Sequence, residues 1–477
     1  MAESLKQKTA KGVVWSAVDR FAAQGIQFLI GLVMARLLMP SDYGTIALLN
    51  VFLAICQTFI DSGFGLALMR KKDCSEQDFS TVFIFSAIVS IVCYAILWVI
   101  APLIARFYDL PILVAVARVV SLNVIINALS NVPNAQLSIS LDFRKKAFVT
   151  LTTVVVSGSI GLWMAYNGFG LWALVYQTLV AGGIRTVLLF VCAKWLPKWQ
   201  FSRVSFRELF SFGSKMLISG IIGNIYNNLS SIVIGKFYSP ASLGVYGKAN
   251  TLASYPSMQM TGVILNVAYP ALAKIQDDVP RLIDAYRKML RMSTFVIFPL
   301  MIGLAAVAKP FVLFVLGDKW AEMIPLLQIV CFALMWDPIN GMNMNLLQVK
   351  GYSNIYLRVE IYKKIIGVVA LCITIPFGLK AICFGLLVIA LINIPINTYY
   401  TNKMFAYGFV RQLKDVFPIF IHALTMGALV FGFTEWVEVV PVQLFGGIAI
   451  GVGYYVLGGY LFQLVELHTL WSMLRCR

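Results

Sequence analysis

The chain has 477 residues, of which 60% are hydrophobic and 12% charged, and its mean hydropathy is +0.83. A soluble domain has about 25% charged residues, so this composition excludes a soluble enzyme and predicts an all-α polytopic membrane protein. The net charge of +17 would suggest nucleic-acid binding in a soluble chain. In a membrane protein such a charge reports topology, and no nucleic-acid partner is expected.

Polar, proline and glycine residues divide the chain into apolar segments of the length that crosses a bilayer, about 20 residues per helix. The first segment is of helix length and no cleavage site follows it, so we expect no cleavable signal peptide. We predict about 14 transmembrane helices, at residues 12–38, 43–69, 79–106, 112–140, 147–166, 171–193, 209–237, 244–272, 289–316, 323–348, 359–376, 380–402, 414–434 and 443–463.

Lysine and arginine concentrate in alternate loops, for example around Arg70, Arg144, Arg203, Arg287 and Lys364. The loops on the other side are short and carry few cations. By the positive-inside rule, both termini are predicted to be cytoplasmic in a multi-pass protein of the cytoplasmic membrane, and the even helix count agrees. Short external loops leave no room for an external catalytic domain, so a membrane-bound polymerase or ligase is disfavoured.

Motifs of catalysis and metal binding are absent from the sequence. Gly235-Lys236 and Gly247-Lys248 are not followed by Ser or Thr, so there is no phosphate-binding loop and the chain is not expected to be an ATPase. The eight cysteines include no CxxC, and the chain has two histidines, so we expect neither a structural zinc site nor a disulfide framework. No cofactor is expected, and transport would draw on a proton or sodium gradient or on the downhill fate of the substrate.

An internal repeat appears when the chain is shifted by 200 residues. ARLLMPSDYG (35–44) then aligns with GKFYSPASLG (235–244), with Pro40 on Pro240 and Gly44 on Gly244. Six predicted helices separate the two copies, so both enter the membrane in the same orientation. This predicts two parallel six-helix bundles related by pseudo-two-fold symmetry, followed by two extra helices. The predicted domains are residues 1–200, 201–403 and, for helices 13 and 14 with the tail, 404–477.

Polar residues recur at helical spacing inside several predicted helices, which indicates faces turned toward a hydrophilic cavity between the halves. An alternative is that these groups form hydrogen bonds that hold helices together, worth about 0.6 kcal/mol each on average. Cations near helix ends can instead extend to the interface. The polar stripes are Arg20, Gln24, Gln27 and Gly31; Asn50, Gln57 and Asp61; Asn123, Asn127, Asn131 and Asn134; Lys215, Ser219, Gly223 and Asn227; Asp337, Asn340, Met344 and Gln348.

Five stretches resemble the polysaccharide flippases (Wzx type, the branch like the colanic acid exporter) of the multidrug/oligosaccharidyl-lipid/polysaccharide exporter superfamily. They are KGVVWS (11–16), ARLLMPSDYG (35–44), DSGFGLALMRKK (61–72), YPALAKIQDD (269–278) and GDKWAEMIPLLQ (317–328). The resemblance implies a V-shaped two-bundle transporter in the bacterial inner membrane. It also implies a substrate, an oligosaccharide repeat unit on undecaprenyl diphosphate, moved to the periplasmic leaflet for polymerisation. A polymerase complex is then a candidate partner, beside the membrane lipids.

This implied function agrees with the excess of membrane-embedded cations over acids, because a positive cavity attracts an anionic head group. We predict three groups of site residues. The diphosphate would contact Arg20, Arg36, Lys215 and Lys236, the sugars would contact Gln24, Gln27, Asn123, Asn127, Asn224, Asn227 and Asn340, and the coupling carboxylate would be Asp19, Asp61 or Asp337. A lipid II flippase and a cation-coupled multidrug exporter stay open as alternatives, although the basic bias argues against a pocket for cationic drugs.

Overall fold

The computed structural model describes residues 22–61, 64–71, 74–140, 142–461 and 466–467, and within them the regular structure is helical. The longer helices are α1 (Ala22–Leu37), α2 (Pro40–Asp61), α3 (Phe64–Arg70), α4 (Glu76–Tyr108), α5 (Ile112–Val120), α6 (Leu122–Ile139), α7 (Phe143–Tyr166), α8 (Leu171–Ala193), α9 (Arg203–Phe237), α10 (Pro240–Ala273), α11 (Val279–Ala306), α12 (Ala308–Phe311), α13 (Met323–Leu334), α14 (Asp337–Val349), α15 (Ser353–Thr374), α16 (Leu379–Phe405), α17 (Phe409–Trp436) and α18 (Val440–Leu461). A π-helical turn (Val312–Leu316) and two 3₁₀ turns (Asp318–Trp320, Ile375–Phe377) complete them.

Each predicted transmembrane segment overlaps one of these helices or a consecutive pair. The segments 112–140 and 323–348 are both broken in the middle, into α5 and α6 and into α13 and α14. By length and composition, 10 spans in the described part of the chain are able to cross a membrane, with α5 and α6 counted as one span and α13 and α14 as another. Helices α9, α10 and α15 are not among them. The all-α membrane class is therefore confirmed, while the count of 14 stays a prediction.

Helix ends in this chain follow from local capping. Ser75 precedes α4, and its hydroxyl accepts a hydrogen bond from the Asp78 N–H at 3.2 Å while the Asp78 carboxylate accepts from the Ser75 N–H at 2.9 Å. This reciprocal pair satisfies two backbone donors at the start of the helix. Asp109 ends α4 in the left-handed region, with φ of 55°. A single side-chain cap starts α7 at Asp142 and α11 at Asp278, where each carboxylate accepts a hydrogen bond from the backbone N–H three residues later.

The chain divides into two compact units, unit 1 (Met1–Gly244) and unit 2 (Val245–Arg477). This division falls after α9 because α9 packs against α2, α3 and α4 of unit 1. The domains inferred from the repeat, with boundaries at 200/201 and 403/404, concern sequence duplication rather than packing, and they stay a prediction.

The core of unit 1 forms where α2, α4 and α6 meet. Cys56, Leu97 and Val124 pack there in one apolar cluster. Apolar side chains also stay on the outside of the unit, where Val99 is 72% exposed and Val191 is 64% exposed. An apolar exterior is the surface that hydrocarbon requires, because lipid offers no partner to a polar group.

The first turns of α2 and α10 meet in a reciprocal glycine contact within unit 1. A Cβ atom on Gly44 would lie 1.7 Å from the carbonyl oxygen of Pro240, and a Cβ on Gly244 would lie 1.8 Å from the carbonyl oxygen of Pro40. Both distances exclude any side chain, since the obstacle is backbone. The four residues are those that the 200-residue shift aligns, so equivalent positions of the two copies contact each other.

A buried polar network holds α17, the first helix beyond the predicted repeat, inside unit 2. The amides of Gln412 and Asn343 exchange hydrogen bonds of 2.9 and 3.0 Å, and the Thr401 hydroxyl donates to Asn343 Oδ1 at 2.8 Å. Arg287 on α11 forms an ion pair with Asp415 on α17. These contacts join α17 to α11, α14 and α16, so α17 is part of the packed structure of unit 2.

Candidate functional site

A cavity of about 490 Å³ lies within unit 2 among α10, α14 and α15. Along α14 its wall includes Asp337, Asn340, Met344 and Gln348, the whole of the stripe predicted for the tenth helix. The periodicity of the sequence therefore identified one face of this helix, and the substrate role of that face stays a prediction. The other lining residues are Met258, Thr261, Gly262, Gly341, Asn345, Tyr356, Glu360 and Lys363.

Asp337 stands at the break between α13 and α14. Pro338 follows it, and a proline inside a continuous helix would lack the N–H that the helix needs, so the chain restarts a helix here. Ser257 on α10 is 0% exposed, and its Oγ lies 3.0 Å from Asp337 Oδ2 and 3.1 Å from the carbonyl oxygen of Leu334. A buried hydroxyl thus connects the carboxylate to the end of the preceding helix.

Uncharged polar groups supply most of the remaining chemistry of the cavity. Asn340 Oδ1 accepts a hydrogen bond from Asn397 Nδ2 on α16 at 2.8 Å. Asn345 is 7% exposed, and among the described residues its Oδ1 and the Thr261 hydroxyl have no hydrogen-bond partner. Glu360 and Lys363, one turn apart on α15, form an ion pair. Amides and hydroxyls that both donate and accept suit a ligand rich in hydroxyl groups or bound water.

A second polar cluster lies in unit 1, where Asp61 ends α2. Asp61 Oδ1 accepts hydrogen bonds from Gln57 Nε2 at 2.9 Å and from Asn131 Nδ2 on α6 at 3.2 Å. The positive charge of Arg185 on α8 also acts on this carboxylate. Residues from two predicted stripes, on α2 and α6, therefore converge on one acid, together with a cation from a third helix.

Four other predicted sugar ligands lie on α6 and α9 of unit 1. Asn224 Nδ2 donates to Thr58 Oγ1 at 2.6 Å and so joins α9 to α2, in the manner of the interhelical alternative. Asn123 on α6 faces Gly182 of α8, and its Oδ1 is buried with no partner among the described residues. Asn127 is half-buried on α6, and Asn227 is exposed on α9.

Of the predicted diphosphate ligands, the structure describes the side chains of Arg36 and Lys236. Lys236 Nζ donates to the carbonyl oxygen of Phe107 at 2.5 Å and lies 4.7 Å from the centre of that ring, so its charge meets the carbonyl end of α4. Arg36 is exposed on α1. Lys215 lies in α9, and its side chain is outside the described part, as are Asp19 and Arg20 entirely.

Near the start of the described chain, α1 carries the remaining two predicted sugar ligands. Gln24 is half-buried and Gln27 is exposed. Their assignment to a sugar stays a prediction.

Sequence reasoning missed several groups of the unit 2 cavity. Asn345 follows Asp337 by eight residues, which places it on the same helical face, so its spacing was a usable signal. Thr261, Glu360 and Lys363 are on other helices, and no local pattern marks them as neighbours of Asp337. Ser257 is likewise 80 residues from Asp337 along the chain.

The fold and the two polar clusters define a polytopic helical membrane protein with hydrophilic sites and an apolar exterior. Residues 33–325 match the family described as polysaccharide biosynthesis protein, which is well over half of the chain. The chain belongs to this family, and the resemblance found in the sequence is confirmed.

Two curated relatives cover most of the chain. The lipopolysaccharide biosynthesis protein WzxC of Escherichia coli (strain K12) is 25% identical over 82% of this chain and 80% of its own length. The succinoglycan biosynthesis transport protein ExoT of Rhizobium meliloti (strain 1021) is 25% identical over 70% of this chain and 68% of its own. Among solved structures, the lipid II flippase MurJ in an inward closed conformation has a TM-score of 0.77 at 14% identity, covering 94% of this chain and 98% of its own, so the two share a fold.

Proposed function

We propose that this chain is a flippase that moves oligosaccharide repeat units, carried on undecaprenyl diphosphate, across the bacterial inner membrane for capsule, exopolysaccharide or O-antigen synthesis. The observation that carries the proposal is membership of the polysaccharide biosynthesis family by a chain built of membrane-spanning helices. The names of the relatives support a polysaccharide precursor as the substrate, since one is a lipopolysaccharide biosynthesis protein and another a succinoglycan biosynthesis transport protein. The fold shared with a lipid II flippase is compatible with a lipid-linked substrate.

The polar cavity of unit 2 supports the sugar part of this substrate. Asn340, Asn345, Gln348 and Thr261 line it with side chains that donate and accept hydrogen bonds, as sugar hydroxyls do. We assign the diphosphate to Arg20, Arg36, Lys215 and Lys236 as in the sequence, because phosphate oxygens favour charge-assisted hydrogen bonds. The prenyl chain would stay in lipid throughout.

The mode of transport that we propose is alternating access of two repeat halves, driven by an ion gradient or by polymerisation of the product. The missing phosphate-binding loop supports a transporter that hydrolyses no nucleotide. The Lys and Arg bias of alternate loops supports cytoplasmic termini in the inner membrane. A polymerase complex on the periplasmic side would consume the repeat units and is the protein partner that we propose.

Deleting the gene in its own host tests the function. We expect surface polysaccharide to disappear and lipid-linked repeat units to accumulate on the cytoplasmic face, with drug susceptibility unchanged. Arrested cell-wall synthesis with lipid II accumulation would support the lipid II alternative, and higher drug susceptibility with normal polysaccharide would support the multidrug exporter.

Complementation then tests the cavity. Asn340→Ala should restore at most a tenth of wild-type polysaccharide at equal membrane abundance, because a sugar hydroxyl would lose its partner. Asn167→Ala is the matched control, since Asn167 is exposed beyond the end of α7 and donates to the Trp163 carbonyl oxygen. Full export by Asn340→Ala would remove the unit 2 cavity from the substrate path.

A further inference from the structure

One buried hydroxyl in unit 2 has to serve two acceptors. Ser257 Oγ lies 3.1 Å from the carbonyl oxygen of Leu334 and 3.0 Å from Asp337 Oδ2, and the serine is 0% exposed. A serine hydroxyl has one proton to donate and two lone pairs that accept. Its proton can therefore satisfy one of these two oxygens in full.

The carbonyl of Leu334 depends on that proton. In a continuous helix it would accept from the N–H of the residue four positions later, and that residue is Pro338, which has no N–H. The adjacent Met335 N–H is already bonded to the Cys331 carbonyl oxygen at 3.0 Å. Backbone carbonyl groups in packed helices are nearly always paired, so we assign the Ser257 proton to the Leu334 carbonyl oxygen.

With its proton committed to Leu334, Ser257 presents a lone pair to Asp337 Oδ2. Two oxygen lone pairs at this distance repel each other unless one oxygen carries a proton. A protonated Asp337 carboxyl resolves the conflict, because it donates to Ser257 Oγ while Ser257 donates to Leu334. All three oxygens are then satisfied by two protons in a continuous chain.

We propose that Asp337 is a proton-binding site, protonated at neutral pH in this conformation, and that the transport cycle loads and releases this proton. Release is the simple ionisation of the carboxyl, with the proton passing to water in the adjacent cavity. The coupling part rests on the proposed flippase function and makes the proton the driving ion. Binding of the proton stands on the geometry of Ser257, Leu334 and Asp337 alone.

The charged surroundings of the cavity agree with a neutral carboxyl. Within the described lining, α15 contributes Glu360 and Lys363, which pair with each other, and the titratable Tyr356. The lining residues from α10 are uncharged, and α11 and α16, which also pack against α14, contribute no titratable residue to the lining. A polar cavity of about 490 Å³ is large enough to hold water, which would give the carboxyl a route for proton exchange.

Infrared spectroscopy of the purified full-length chain in lipid nanodiscs tests the proton directly. We expect the C=O stretching band of a neutral carboxylic acid in the wild-type protein at pH 7, and its loss in Asp337→Asn. Ser257→Ala should move the band to higher frequency because the carboxyl loses its hydrogen-bond acceptor. Asp61→Asn is the control and should keep the band. Absence of the band in the wild type, or its persistence in Asp337→Asn, overturns the proton site whatever the protein transports.

A second measurement addresses the coupling. In reconstituted liposomes that contain the lipid-linked oligosaccharide, an imposed proton gradient should raise the flipping rate of the wild type at least tenfold. The flipping rate of Asp337→Asn should not respond to the gradient. Flipping by the wild type that ignores the gradient, with the infrared band present, overturns the coupling. Failure of the wild type to flip any such lipid would count against the flippase and leave the infrared result standing.

Discussion

The acidic side chains of Asp61 in unit 1 and Asp337 in unit 2 have different hydrogen-bond partners. Asp61 receives two amide N–H donors, from Gln57 and Asn131, and the charge of Arg185 acts on it. Asp337 shares a single hydroxyl with a backbone carbonyl. Two acids with the same signal in the sequence therefore differ in how their oxygens are satisfied, by two amide donors at Asp61 and by one shared hydroxyl at Asp337.

The largest expected effect comes from the reciprocal glycine contact between the first turns of α2 and α10, which are equivalent in the two repeat copies. Gly44→Ala and Gly244→Ala should each lower the free energy of unfolding by about 3 kcal/mol. The new methyl group would clash with a backbone carbonyl group, which cannot rotate away as a side chain can. Thermal unfolding in detergent measures this loss. Gly247→Ala is the control, since a Cβ there meets nothing within 4 Å. Equal melting temperatures for all three variants would contradict the contact.

The next prediction separates the two acids directly. Asp61→Asn should cost about 1.5 kcal/mol, because two hydrogen bonds to a charged oxygen become weaker or repulsive. Asp337→Asn should cost less, since the new amide N–H can donate to Ser257 in place of the carboxyl proton. Melting temperatures of the two variants at pH 7 measure the difference. A larger loss for Asp337→Asn would contradict the proposal that Asp337 binds a proton.

A third prediction concerns the network that holds α17 within unit 2. Thr401→Val should lower stability by about 1 kcal/mol, because the buried Asn343 Oδ1 loses one of its donors and keeps the amide of Gln412. Denaturant unfolding compares it with Thr178→Val, whose exposed hydroxyl bonds only to its own helix at Leu174. If both variants lose the same stability, the network adds nothing to unit 2.

The smallest expected effect tests the charge beside Asp61. Arg185 is exposed, so Arg185→Gln should cost about 0.5 kcal/mol at low salt and less at high salt. A double-mutant cycle with Asp61→Asn isolates the pairwise energy. A coupling energy of zero at low salt would show that the amides alone stabilise the carboxylate.

Much of this architecture was predictable because its causes are local. The stripe from Asp337 to Gln348 follows from the fixed rise and turn of a helix, and the structure places its members along one cavity. The contacts of Asp61 with Asn131 and of Ser257 with Asp337 span 70 and 80 residues, and no periodicity reveals such pairs. The break at Pro338 was also missed, since segment 323–348 is apolar enough to look continuous.

The sequence by itself determined the membrane class, the positions of the helices and the family, because hydropathy and motifs are properties of short segments. Only the tertiary structure decided which polar groups meet, since helices far apart in the chain bring them together. The hydrogen bonding of Asp337 depends on Ser257 of α10 packing against the break between α13 and α14. Its charge state is therefore a consequence of packing, while its presence on a polar helical face is a consequence of sequence.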